Sequence, residues 1–357
     1  MKPLQKIEEV GKALVKQAAS QKPLTLEVPV RSLSNVIYDK STHMLKLGDK
    51  VSERNFFNIA HAKKFLQTLE VAAASKELLE ANKHASLRDV FYMIKRTIPG
   101  TKTNIVDDQP ESDSAIEDLE LITGFSREQL HINANKMGSV SGHVIIEDQG
   151  DEINWAKMGS GGWSIPSNVE DIKFKKVNAK YVIYMEKAAV WERLHEDRFW
   201  DKQNCIIMSS QGQSTRGIRR LLQRLSFEHK LPIYVLADFD PWGFYIYSVL
   251  KYGSINLAHM SEEMTLRGAR FLGIMSSDIE KYGLKKHLIT FKDVDIKRIK
   301  QLQNYEWFKE HKRWQKEFKN MLKMKAKAEI QALSSRGISF ITETYLPEKI
   351  KNKDWIE

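Results

Sequence analysis

The chain has 357 residues, which at roughly 100–200 residues per domain implies about two domains, each long enough to bury a core. Apolar residues make up 42% and charged residues 29%, which excludes a disordered or collagen-like chain. Lys and Arg outnumber Asp and Glu by 56 to 46, so the net charge of +10 points to a polyanionic partner.

The start, Met1-Lys2-Pro3, runs into Glu8 and Glu9 without an apolar segment, so no secretory signal is expected. A helical pattern follows from Ile7 to Ala18, then the β-prone pieces Leu24–Val30 and Val36–Tyr38, broken by Pro23, Pro29 and Gly48. Residues 1–55 read as an N-terminal extension. From Phe56 to Lys83 the apolar spacing is helical. Ser86, with Asp89 three residues on, caps a second helix that Pro99-Gly100 is expected to end. An acidic run, Glu111–Glu120, precedes another capped start at Ser126 with Gln129, and Val140–Glu147 and Glu152–Ala156 then read as strands joined at Asp148-Gln149-Gly150. Helices followed by a hairpin predict a winged helix over residues 56–157.

The glycines of Met158–Trp163 lack the Gly-Lys-Ser/Thr of a phosphate loop, so residues 158–178 are expected to be a linker. Beyond them, strands alternate with helices: Tyr181–Met185, Ala189–His195, Cys205–Met208, Thr215–Glu228 and Ile233–Ala237. This alternation predicts an α/β domain with a parallel-type sheet over residues 179–357. The longest apolar stretch, Leu231–Ala237, has the length of a core strand, so no membrane helix is expected. The single cysteine, Cys205, cannot form an internal disulfide or a cysteine zinc site, which fits packing and a reducing, intracellular compartment. From Lys281 to Ile330 the net charge is +9, and Trp307, Trp314, Phe318 and Met321 fall at helical spacing. That stretch reads as amphipathic helix with a buried aromatic stripe, its lysines either solvated or facing phosphate.

Two constellations carry chemistry. Glu186 ends one core-type strand, and Asp238-Phe239-Asp240-Pro241 ends another, at the sheet edge where open α/β folds bind ligands. Asp238 and Asp240 point the same way on an extended segment, and three carboxylates that close repel unless a cation sits among them. Oxygen donors of this kind favour Mg²⁺ over zinc; the alternative is a strand-ending turn and nothing more. In the second constellation, Leu87, Phe91 and Ile94 form the apolar face of the helix after Ser86. Arg88 and Tyr92 are i, i+4 neighbours beside that face, with Lys95 and Arg96 a turn beyond. Nearby cations favour a phenolate nucleophile, while the plainer alternative is a half-buried aromatic. Arg216, Arg219 and Arg220 open a helix and are candidates for contact with a phosphate backbone, as is Lys95. His131, His143 and His259 fall at no metal-ligand spacing.

Ser86-Leu-Arg-Asp-Val-Phe-Tyr92 resembles the nucleophile motif of the topoisomerase VI A subunits and the related transesterases that make meiotic double-strand breaks. Glu186 with Asp238–Tyr247 resembles the Toprim signature of the same family. Ile116–Glu120, Gly161–Pro166, Gly212–Arg220, Tyr252–Ser254 and Thr344–Glu348 match it in order, so the likeness runs from about Asn55 to Lys349. There are two departures. The family usually has paired tyrosines where this chain has Phe91-Tyr92, and the commoner Glu-Thr-Gly-Gly is here Glu186-Lys-Ala-Ala.

The resemblance implies a winged-helix (CAP-like) domain carrying Tyr92 and a Toprim domain holding Mg²⁺ through Glu186, Asp238 and Asp240. It implies cleavage by transesterification to a 5′-phosphotyrosyl intermediate, with Arg88 as a second electrophile. It also implies a homodimer in which each Tyr works with the other protomer's acids, and a GHKL ATPase B subunit that binds the ATP, giving an A2B2 heterotetramer on double-stranded DNA. The place of action would be the nucleoid, or the nucleus in a eukaryote. Within the family, a break-former that rarely reseals remains open; outside it, a Toprim nuclease or primase, or a non-enzymatic winged-helix regulator.

Overall fold

The computed structural model describes residues 2–357. The chain folds into two compact units: residues up to Val36 together with Leu47–Asn135, and Ile37–Lys46 together with Lys136–Glu357.

In the first unit, α1 (Pro3–Ala19) leads to β1 (Thr25–Pro29). The strands β2 (Val36–Asp39) and β3 (Met44–Leu47) form a ribbon whose residues 37–46 belong to the second unit. The chain then returns as β4 (Val51–Asn55), antiparallel to β1. Asn58 caps α2 (Ile59–Glu80) through the Ala60 N–H, which satisfies one orphan donor of the first turn. After β5 (Ala85–Ser86) come α3 (Leu87–Ile94) and α4 (Gln109–Thr123), the latter ended by Gly124 at φ +73°. A two-residue strand, β6 (Ile132–Asn133), pairs parallel with β5.

The core of this unit is built from Val71 of α2, Val90, Phe91 and Ile94 of α3, Ile116 and Leu119 of α4, and Ile132. Helix α3 stops earlier than the sequence suggests. Lys95 is extended, and Pro99-Gly100 instead form a turn closed by the Ile98 N–H to the Thr103 carbonyl at 2.8 Å.

The second unit opens with β7 (Ser139–Ser141), β8 (Val144–Asp148), β9 (Asp151–Asn154), β10 (Trp163–Ser164) and β11 (Lys173–Val177). The strands expected to complete a winged helix over residues 56–157 thus belong to the second unit, not to the one that holds the helices. β8 and β9 join β11 in a three-stranded antiparallel sheet, with Val144 and Ile146 buried and Phe174 of β11 set edge-on to Trp155 at 6.3 Å. Residues 158–178 are not a linker, because β10 and β11 lie within them and each is paired into a sheet.

The main sheet has six strands in the order β10-β7-β13-β12-β14-β15, where β12 is Val182–Met185, β13 Ile206–Ser209, β14 Ile233–Leu236 and β15 Arg270–Phe271. β13, β12, β14 and β15 are parallel, while β7 and β10 add an antiparallel edge. Every residue of β12, β13 and β14 is buried, as expected for parallel strands covered on both faces. The crossovers carry α5 (Ala188–Glu196), α6 (Phe199–Lys202), α7 (Arg216–Glu228) and α8 (Pro241–Tyr252). Cys205 is buried just before β13, in the packing role expected of it.

Toward the C-terminus come α9 (Ser261–Met264), α10 (Ser276–Lys281), β16 (Ile289–Thr290), α11 (Asp293–Asn304), α12 (Glu306–Lys309), α13 (Lys312–Met324), β17 (Ala326–Lys327) and α14 (Leu346–Lys351). The basic amphipathic stretch is as expected: Trp314, Phe318 and Met321 are fully buried while Lys312, Lys316, Lys319 and Lys323 stay at the surface. Among the described residues no helix is long and apolar enough to cross a membrane.

Candidate active site

Tyr92 sits on a helix whose start is fixed twice over. Ser86 Oγ accepts from the Asp89 N–H at 3.1 Å, and the Asp89 carboxylate accepts from the Ser86 N–H at 2.9 Å, so two orphan donors are satisfied reciprocally. The bonds from Ser86 hold the Asp89 carboxyl below the usual range. With this register Phe91 turns into the core, 5% exposed, and the next residue, Tyr92, turns out, 58% exposed. The two rings meet edge-on at 5.0 Å. The Arg88 Nη2 lies 3.4 Å from the Tyr92 hydroxyl. Lys95 instead lies over the Phe91 ring at 5.0 Å, and Arg96 is tied to Glu70 at 2.6 Å. Of the three cations expected beside the phenol, Arg88 is the one these contacts place there.

The acids lie at the carboxyl ends of β12 and β14. Met185 is in register with Leu236, so Glu186 comes level with Ala237 and next to Asp238. Phe239 is fully buried, and its backbone exchanges hydrogen bonds with Ala328 at 2.9 Å in each direction. This fixes the alternation that brings Asp238 and Asp240 out together. Asp238 Oδ1 accepts from the Ile330 N–H at 2.8 Å, and Asp240 Oδ1 caps α8 through the Trp242 N–H at 2.6 Å. Glycines let neighbouring chain approach this corner. A Cβ on Gly243 would stand 2.8 Å from the Asp238 carbonyl oxygen, and one on Gly273 only 2.1 Å from that of Ala237.

Burial raises the Glu186 pKa, and the charges of Asp238 and Asp240 push it the same way. Asp238 is also raised, chiefly by burial, against the opposing bonds from Lys187 and the Ile330 N–H. The remaining oxygens face two ammonium groups. Lys187 Nζ is 2.8 Å from Asp238 Oδ2, and Lys327 Nζ is 2.9 Å from Asp240 Oδ2. Among the described residues no three His, Cys, Asp or Glu side chains are gathered as a ready-made metal cage. The donor set nonetheless fits a hard divalent cation: it is all oxygen, its carboxyls repel one another, and cationic groups already sit against two of them.

Of the candidate backbone contacts on α7, Arg216 and Arg219 are buried, whereas Arg220 is only partly so. Arg219 is 2% exposed, donates to the Val249 carbonyl at 3.4 Å, and has its pKa lowered by burial to about 10. Arg216 is buried beside the Met260 sulfur, and Arg220 binds Glu170 at 2.9 Å. Helix α7 packs its amphipathic face inward, so the guanidiniums of Arg216 and Arg219 brace the fold, while that of Arg220 stays partly exposed beside Glu170. Sequence reasoning misses Lys187 and Lys327. Lys187 leaves a trace as the departure beside Glu186, whereas Lys327 leaves none, because it is far from Asp240 in sequence.

A buried parallel sheet with a glutamate after one strand and Asp-x-Asp after its neighbour is the arrangement expected of the Toprim class. Comparison with known proteins agrees and goes further. Residues 181–350 match the Toprim domain shared by the A subunits of topoisomerase 6 and Spo11, residues 63–132 match the type IIB DNA topoisomerase model, and residues 128–178 match the all-beta domain of the DNA topoisomerase VI alpha subunit. The A subunit of type 2 DNA topoisomerase 6 from Pyrococcus abyssi is 44% identical over 98% of this chain and 94% of its own length. That of Hyperthermus butylicus is 41% identical over 100% and 96%, and the A3 subunit of DNA topoisomerase 6 from rice, Oryza sativa subsp. indica, is 35% identical over 98% and 78%. The chain belongs to the topoisomerase VI A-subunit family, the DNA-cleaving subunits of type IIB topoisomerases.

Proposed function

We propose that this chain makes transient double-strand breaks in DNA with Tyr92 as nucleophile. The phenol oxygen forms a bond to phosphorus and gives up its proton. The bond from phosphorus to the 3′-oxygen breaks, and that oxygen leaves as a hydroxyl, so the 5′-phosphate stays on Tyr92 as an ester. One ester replaces another, and resealing runs the same steps backward without ATP. The observation that carries this reading is the exposed Tyr92 phenol on a capped helix with Arg88 3.4 Å from its hydroxyl.

Arg88 supplies positive charge where the phenolate and then the phosphate oxygens need it. Glu186, Asp238 and Asp240 would hold Mg²⁺, which when bound stabilises charge on the phosphate oxygens and the departing 3′-oxygen. Glu186 and Asp238, with pKa values raised by burial, lose a destabilising repulsion when a cation is present. The helices α2, α3 and α4 serve as the duplex-binding core of the winged-helix kind.

Two strands need two tyrosines related by the pseudo-twofold axis of the duplex, which a symmetric homodimer provides. The chain carries no Walker A loop, so ATP-driven strand passage falls to a separate GHKL B subunit in an A2B2 assembly, acting where the cell keeps its DNA. The test is denaturant-trapped covalent complex formed with DNA, Mg²⁺ and the B partner. Tyr92→Phe and Asp238→Asn should each abolish it with DNA binding retained; trapping by either variant at the wild-type level refutes the role given to that residue.

A further inference from the structure

Asp238 and Asp240 each have their two oxygens in different hands. Asp238 Oδ1 is fixed by the backbone N–H of Ile330 and Asp240 Oδ1 by that of Trp242, while the Oδ2 atoms meet Lys187 and Lys327. Both lysines also touch acceptors outside the trio. Lys187 Nζ lies 3.3 Å from Glu329 and 3.0 Å from the Gln331 side-chain oxygen. Lys327 Nζ lies 3.2 Å from Asp295, whose side chain is buried. We infer that Lys187 and Lys327 are tethered counter-ions that offset the charges of Asp238 and Asp240 until a divalent cation takes the two carboxylates from them. The inference rests on the metal-site reading above and adds a competition to it.

The geometry favours exchange over permanent pairing. A carboxylate already aimed by a backbone N–H does not have to turn to change its partner on the second oxygen. Each ammonium already has a second acceptor within reach, so the incoming cation leaves no bare charge behind. Without such groups, three neighbouring carboxylates would repel in the metal-free protein. With them, the metal-free fold is held together, at the cost of weaker divalent binding.

The probe is Mn²⁺, its free concentration followed by electron paramagnetic resonance on the full-length protein without DNA. Lys187→Met and Lys327→Met should each bind Mn²⁺ about three- to tenfold more tightly than wild type, the range that partly exposed ion pairs allow. Lys187→Arg, which keeps the competing charge, should bind no more tightly than wild type. A surface lysine elsewhere in the same unit, Lys323→Met, should change nothing, which separates contact competition from net charge. Saturating Mn²⁺ should also raise the thermal midpoint of Lys187→Met by more than that of wild type, since more of its folded stability then depends on the ion. If wild type binds Mn²⁺, Asp238→Asn abolishes that binding, and both Met variants bind no more tightly than wild type, the counter-ion inference fails while the metal site stands. If wild type and every variant bind no Mn²⁺, both fail together.

Discussion

Arg88 Nη2 lies 3.4 Å from the Tyr92 hydroxyl oxygen, one turn along α3, with the guanidinium carbon 5.6 Å from the ring centroid. The contact is long for a hydrogen bond, and its value is charge held where an oxyanion develops. Arg88→Ala should lower the single-turnover rate of covalent complex formation about 10²-fold, the usual loss for one such donor, with little change in DNA affinity. An unchanged rate would remove Arg88 from the chemistry.

The departure at position 91 should be harmless to cleavage. Phe91 is 5% exposed in the core of the first unit, so a hydroxyl added there faces apolar neighbours rather than DNA. Phe91→Tyr combined with Tyr92→Phe should therefore form no covalent complex, whereas Phe91→Tyr alone should form it normally. Phe91→Ala should cost about 3–5 kcal/mol of stability in urea denaturation.

Glu186 gives a pH signature. Its folded pKa is raised above the ordinary 4.5, first by burial and then by the charge of Asp238, so the folded state binds more protons than the unfolded one above that pH. The stability tied to this carboxyl is fully present below its unfolded value and is lost as the pH rises through the folded one. In metal-free buffer, Glu186→Gln should match wild type at about pH 4 and be more stable than it at about pH 7. Urea midpoints at the two pH values decide the matter; a variant that loses stability relative to wild type as the pH rises would contradict it.

The Thr344–Glu348 segment has a structural use. Tyr345, fully buried, donates to Asp278 at 3.2 Å, and Lys349 Nζ lies 2.8 Å from the same carboxylate with both side chains nearly inaccessible. Removing one partner of such a pair leaves a buried charge unmatched, so Lys349→Met should cost about 3–5 kcal/mol. Chemical denaturation checks this; a loss below about 1 kcal/mol would mean the pair is only loosely buried.

Local signals are legible in the sequence where one element carries them whole. The capping box of Ser86 and Asp89, the aromatic stripe of α13, and the core strands that stop just before Glu186 and Asp238 all lie within a few residues of chain. What pairing decides is not legible. Val140 and the Val144–Asp148 strand read alike, yet one pairs with β13 in the main sheet and the other with β11 in a small one. Arg216 and Arg219 of α7 mislead because an amphipathic helix does not say which cations its buried flank will take in. Lys327 reaches Asp240 only because β17 and Ala328 return beside the end of β14, a placement no local pattern records.

The central claim is that one phenol carries the broken strand. Complexes formed with end-labelled duplex DNA, Mg²⁺ and the B partner, trapped in denaturant and digested to peptides, show by mass spectrometry which side chain bears the nucleotide. A 5′-phosphate ester on Tyr92 is the expected result. An adduct on any other residue, or cleaved duplex with free 5′-phosphates and no adduct, would contradict it.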